Sequence, residues 1–236
     1  TVDSKVNWNV NSKLNVWGRY SVLNFFTVNE TVYGKELQGR AINSSNPGTG
    51  QGKTHSFSFA GVYTFTPNFI VDANFGFFRQ NTDVAQSDLA EKRGLDFLGI
   101  PGTNGSRAFE GGFPFFDLDT YADYGTVDTF MPYTRSDDQY QIVGNANWIR
   151  GPHNIRFGAD VYRQKLNHTQ PESSDTSFGA RGGFLFGTGV TALSGGVGGN
   201  QYNGFAAFLL GLPSRVGKLT LTEAPYATRN WQYSFY

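Results

Sequence analysis

The sequence has no cysteine and a single methionine. Disulfide staples and thiolate metal sites are thereby excluded. Charge is scarce too: charged residues make up 16% of the chain, against about 25% in ordinary globular proteins, and the 19 basic and 19 acidic residues cancel. A neutral chain lacks the electrostatic footprint of a nucleic-acid binder, so no nucleic-acid partner is expected. Long apolar runs are also missing. The longest, Phe205 to Leu210, falls far short of the roughly 20 residues a membrane-spanning helix needs. Thr1 opens directly into strand-like alternation, with no basic n-region and apolar h-region of a signal peptide. Any membrane contact must therefore be made by strands.

What the chain does have is 30 Gly, 22 Phe, 12 Tyr and 4 Trp, a composition suited to β-structure facing lipid. The stretch HSFSFAGVYTFTPNFIVDANFGFFRQ, residues 55 to 80, has a period of two. In its first arm Phe57, Phe59, Gly61, Tyr63 and Phe65 share one face, opposed by Ser56, Ser58, Ala60, Val62 and Thr64. After a Thr66-Pro67-Asn68 turn, Phe69, Val71, Ala73, Phe75 and Phe77 share a face, opposed by Ile70, Asp72, Asn74, Gly76 and Phe78. The same pattern predicts hairpins over 2 to 22, turning at Asn11 to Lys13, and over 140 to 162, turning at Arg150 to His153. A last strand carries Trp231, Tyr233 and Phe235.

Between these hairpins lie segments without alternation, at 31 to 54, about 86 to 137 and about 168 to 229. Connections thus alternate between short turns and long loops, as in outer-membrane barrels with short periplasmic turns and long external loops. A soluble β-sandwich lectin shares the half-polar alternation but has no reason to keep that asymmetry. Arms of about 9 to 13 residues also suit tilted strands crossing a bilayer, where soluble strands cluster near 5 to 6. The expected fold is all-β: an antiparallel transmembrane β-barrel segment of about seven strands with long external loops. Because lipid leaves no backbone group unpaired, the segment is expected to be part of a larger closed barrel, spanning 1–236 as a partial barrel domain. Trp8, Phe65, Phe69 and Trp148 would form a girdle at the short-turn interface. Asp3, Lys5, Asn7, Arg19, Asp72, Asn74, Asn145, Asn147, Arg156 and Asp160 would line a polar lumen.

Several segments, among them KVNWNVNSKLNVWGRYS, GVYTFTPNFIVDANFGFFRQ, LGIPGTNG, NWIRGPHNIRFGADVYRQ, NGFAAFLLGLPS and RNWQYSFY, resemble the barrel of TonB-dependent outer-membrane transporters. The likeness is to the Oar-like type, which begins with a carboxypeptidase-regulatory-like domain, and it covers nearly the whole chain. It implies a barrel of about 22 strands plugged by an N-terminal domain. It also implies uptake in the bacterial outer membrane powered by the TonB-ExbB-ExbD system, which is reached through an N-terminal region. No TonB box, plug, regulatory-like domain or C-terminal strand is recognised in these residues, so the chain is expected to be one section of such a receptor. The implied partners are outer-membrane lipid and a nutrient: a glycan, a peptide or a metal chelate.

Candidate chemistry is sparse. Asp117, Asp119, Asp123 and Asp128 invite a Ca²⁺ reading, but they lack EF-hand spacing, and a solvated loop with Asx turns is expected instead. His153 is placed at a short turn and His55 and His168 near the long loops, so a shared metal site is not expected. Gly187 and Gly189 begin a G-x-G-x-x-G pattern that Ala192 breaks, and no nucleophile elbow is present. No enzyme activity and no cofactor are expected. The aromatic loop residues Phe113, Phe115, Phe116, Tyr121, Tyr124 and Tyr133 remain as a candidate ligand platform, with packing of loop on loop as the alternative. NGFAAFLLGLPS reads as a short helix stopped near Gly211 and Pro213. Two functions fit: a receptor that binds a nutrient at its external loops for TonB-energised uptake, or a surface adhesion protein anchored by its barrel.

Overall fold

Alternating aromatic and β-branched residues form long strands that pair in sequence order. The computed structural model describes residues 1–43, 46–127, 130–171, 178–193, 200–222 and 225–236. The strands are β1 (Val2–Asn9), β2 (Leu14–Asn29), β3 (Gly48–Thr66), β4 (Phe69–Ala85), β5 (Phe115–Asp117), β6 (Tyr133–Arg150), β7 (His153–Thr169), β8 (Gly183–Leu185), β9 (Arg215–Gly217) and β10 (Tyr226–Phe235). A seven-stranded antiparallel sheet has the order β1-β2-β3-β4-β6-β7-β10. A small second sheet, β5-β8-β9, lies within the connections. The large sheet does not close, because β1 and β10 form its two edges.

The short turns are built from local chemistry. At Val10 to Lys13 the Asn11 carboxamide accepts from the amides of Lys13 (2.8 Å) and Leu14 (2.9 Å), an Asx turn. Pro67 and Asn68 link Thr66 to its partner Phe69, with a bulge at Thr64/Thr66. Gly151, at φ 58°, and Pro152 link Arg150 to its partner His153. A side chain at Gly151 would be strained by that backbone conformation.

Register carries the apolar face across the sheet. Gly18, Phe59, Phe75, Ile142, Val161 and Tyr233 are successive Cα partners from β2 to β10, and Tyr20, Phe57, Phe77, Tyr140, Arg163 and Trp231 form the next row. A slip of one residue in any pair would turn that strand's whole apolar set over. The short-turn girdle forms as expected: the rings of Phe65 and Phe69 lie 5.5 Å apart, and Phe69 is partnered by Trp148. The other face is polar. There Arg19 donates to Asp3 (3.0 Å), Asn145 to Asp72 (2.7 Å) and Gln141 to Asp160 (2.8 Å).

Among the described residues, the only buried apolar side chains of this sheet are two alanines, Ala60 and Ala146. Phe57, Phe59, Phe157, Tyr233 and Phe235 all lie exposed. Among the described residues no element packs on that face, so the sheet has no core of its own there and lipid is the medium that covers it.

The strands are longer than expected. β3 has 19 residues and β6 has 18, and both begin inside segments anticipated as loop. At about 3.4 Å per residue and a tilt near 45°, such strands rise about 40 Å, beyond the roughly 25 Å apolar band. The protruding ends, such as Gly48 to Thr54, are glycine-rich and polar, and pairing with β2 and β4 holds them extended in spite of poor intrinsic propensity.

Phe75 sits between Phe59 and Ile142 near the middle of the apolar band. Phe75→Arg in the intact barrel is expected to lower stability by about 2 to 4 kcal/mol in a denaturant titration from lipid. A near-neutral effect would contradict the assigned face.

Candidate functional site

All three long connections, 30–47, 86–132 and 170–225, leave the same end of the sheet, and they fold against one another. The first contributes helix α1 (Gly34–Leu37) and the third helix α2 (Gln201–Leu209). The Asn200 carboxamide caps α2 by accepting from Tyr202, and Gly211, at φ 66°, follows its end, so the expected short helix is present. Backbone hydrogen bonds join the first and second connections, from Gly39 to Gly125 and from Gly125 to Leu37 (2.9 and 2.8 Å). The second and third are joined by the parallel pairing of β5 with β8 and by the Phe186 amide donating to Asp117 (2.8 Å).

This assembly holds the core the sheet lacks. Phe109, Phe113, Phe115, Leu118, Met131, Ala180, Phe186 and Ala207 are buried in it. Several of its polar groups are paired, while among the described residues Gln86 Oε1, Asp88 Oδ1, Arg93 Nε and Thr126 Oγ1 are buried without a hydrogen bond. The Asn104 carboxamide accepts from Gly94 (2.7 Å) and Leu95 (3.2 Å), and it donates to the carbonyls of Glu110 (3.0 Å) and Gly112 (2.8 Å). Four bonds satisfy that buried side chain completely. Arg93 bridges the connections by pairing with Glu36 and Glu91, both at 2.7 Å. Arg181, with no exposed surface, donates to the Met131 carbonyl.

Asp88 is fully buried and accepts from the Phe113 amide (2.7 Å). Burial pushes its carboxyl above the ordinary value of 3.8, opposed by that amide and by Arg181 and Arg93. Burial likewise raises Asp123, against the pull of Arg40. For Glu110 burial acts upward as well, but hydrogen bonds and charge from Arg107 outweigh it and hold the carboxyl below 4.5.

Above this core lies an apolar pocket of about 360 Å³, lined by Leu37, Leu98, Ile100, Phe113, Phe116, Tyr124 and Phe208. All three connections contribute. Phe116 meets Phe113 at 5.8 Å between ring centroids and Phe208 edge-on at 6.3 Å, and Tyr124 stacks on Phe208 at 5.9 Å. Of the residues anticipated as a platform, Phe113, Phe116 and Tyr124 converge here. Tyr121 stands beside them, packed on Phe205 at 5.2 Å. Phe115 is buried and does not line the pocket, because in β5 its side chain turns to the face opposite Phe116. Tyr133 lies apart, at the start of β6 against His168 at 5.0 Å. Sequence reading missed Leu37, Leu98, Ile100 and Phe208. Only Phe208 carried a signal, its i, i+3 spacing from Phe205 on α2.

The other sequence candidates resolve simply. The Asp119 amide donates to Asp117 (3.0 Å), the expected Asx turn, and Asp123 pairs with Arg40 (3.2 Å). Asp128 lies outside the described residues. Among the described residues no three carboxylates or imidazoles gather as a cation site requires. His55 meets the Tyr20 hydroxyl at 2.7 Å on β3, while His168 lies on β7, with β4 and β6 between them.

An antiparallel wall with one bare apolar face, tight turns at one end and folded loops at the other defines a membrane-spanning β-barrel wall. A family model described as Outer membrane beta barrel domain matches residues 1–236, and the chain belongs to that family. Its place is the bacterial outer membrane. No curated protein and no solved structure matches the chain.

The raised Asp88 carboxyl has a signed consequence. A folded-state value above the unfolded one means stability falls as pH rises from 3.8 through the raised value, and returns on acidification. Glu110 acts oppositely, losing its contribution only as pH falls below 4.5. Asp88→Asn keeps an acceptor for Phe113 and removes the charge. Hydrogen exchange at the Phe113 amide, corrected for intrinsic rate, is expected to slow in the native protein relative to Asp88→Asn as pH drops from 7 toward 4. Identical profiles would refute the assignment.

Proposed function

We propose that the chain is the wall and outer-loop section of an outer-membrane receptor that captures a nutrient at its external loops for TonB-energised uptake. One observation carries the reading: an apolar, ring-lined pocket is assembled from all three external connections. A ligand seated there touches Leu37, Phe116 and Phe208 together, so its binding free energy bears on how the loops sit relative to one another. Flat rings of this kind suit a ligand with an apolar or ring face, as on a sugar, a peptide side chain or an organic chelator. The TonB-ExbB-ExbD system would act through a region N-terminal to this section. Closure into about 22 strands belongs to the same proposal, since the open edges of β1 and β10 need partners within lipid.

The test uses a strain whose growth on one of a panel of glycans, peptides or metal chelates depends on this protein. Phe116→Ala and Phe208→Ala are expected to raise the nutrient concentration for half-maximal growth about tenfold, the effect of losing one ring contact, without lowering the amount in the outer membrane. Inactivating TonB should abolish growth at limiting nutrient. Growth indifferent to TonB would defeat the uptake reading, and pocket variants without effect would move the ligand elsewhere.

A further inference from the structure

The apolar face ends abruptly in a cluster of cations at its loop-side margin. The row Phe77, Tyr140, Arg163 and Trp231 is followed, two residues nearer the loops, by Arg79, Asp138, Lys165 and Arg229, again successive partners across β4, β6, β7 and β10. Strand alternation puts all of these on the same face as Phe75 and Ile142, the face turned to lipid. Four cations surround one carboxylate. Arg79 engages both oxygens of Asp138, at 2.6 and 2.7 Å, and Lys165 lies within the field of the same carboxylate, so among the described residues these two rows of the face carry four positive charges against one negative. The next row outward, Lys53, Asn81, Ser136 and Asn167, adds no carboxylate and one further cation.

Each remaining cation is held in place. The Arg163 guanidinium lies over the Trp231 ring, 4.7 Å from its centroid, and the Lys165 ammonium stands 5.7 Å from that of Tyr140. Arg229 is braced by the carbonyls of Leu166 and Thr228 and by the Asn167 side chain, at 2.9, 2.8 and 2.8 Å. Aromatic rings at a membrane margin fix headgroup depth, and cations stacked on them stand where an anionic headgroup begins.

We infer that Arg163, Lys165 and Arg229, with Arg79 behind them, bind the phosphate groups of a phosphorylated lipid in the outer leaflet. The excess of positive charge on these adjacent strands matches a phosphate's charge and its several acceptor oxygens, and Arg supplies the forked donors that suit them. The apolar rows immediately below receive the acyl chains of the same molecule. The occupant is thus a lipid rather than a free anion.

The test takes the full-length protein in phosphatidylcholine nanodiscs doped with phosphorylated lipid A, or with lipid A stripped of its phosphates, and counts retained lipid by native mass spectrometry. The native protein is expected to retain the phosphorylated form roughly tenfold better than the Arg163→Gln/Lys165→Gln variant. Asp138→Asn, which frees Arg79, should strengthen retention, an outcome that misfolding would not produce. Arg156→Gln, on the polar face, should leave it unchanged. Equal retention by the double variant, equal retention of the phosphate-free lipid, or displacement by inorganic phosphate alone would overturn the inference.

Discussion

A backbone that crosses hydrocarbon has to satisfy its own hydrogen bonds, because nothing in lipid will do so. Everything else in this protein follows from that requirement. It enforces an unbroken ladder from β1 to β10, and the ladder in turn fixes the register. Register decides which side chains face lipid. The result is a wall with Phe59, Phe75, Ile142 and Tyr233 in line on one side and Asp72, Asn145 and Asp160 on the other. Such a sheet has almost no buried apolar core, and its stability depends on the solvent at each face.

The loops obey a different constraint. Outside the membrane the chain must fold like a soluble protein, burying apolar groups and pairing the polar ones it buries with them. Asn104 meets that demand in full, and Arg93 and Asp88 in part, by tying amides, carbonyls and carboxylates of distant segments together. Two kinds of packing therefore share one chain, joined where the strands emerge from the apolar band. The ring-lined pocket lies in the soluble part, and the cationic margin marks the boundary between the two.

The spanning half was largely legible in the sequence, because lipid on one side and a polar interior on the other impose a period of two that no tertiary detail overrides. The positions of the turns, the facing of residues 55 to 80, the girdle of Phe65, Phe69 and Trp148, and the placement of the three histidines all follow from it. Strand length was not legible. Gly48 to Thr54 and Tyr133 to Gln139 lie beyond the lipid, so their outward side chains carry no apolar signal, and neighbouring strands alone hold them extended. The pocket was half legible. Phe113, Phe116 and Tyr124 are conspicuous as aromatics, but their meeting with Leu37 and Phe208 depends on contacts between connections far apart in sequence.

These 236 residues contain no cysteine, so single cysteines introduced here, in a barrel cleared of any cysteine elsewhere, report without background and make the central claim directly testable. Fluorophores attached one at a time along 70 to 77 of the intact barrel in vesicles would be challenged with a quencher carried on lipid tails. Quenching is predicted at Val71, Ala73, Phe75 and Phe77 and protection at Ile70, Asp72, Asn74 and Gly76. Uniform quenching, or the opposite alternation, would contradict a wall that turns this face to lipid.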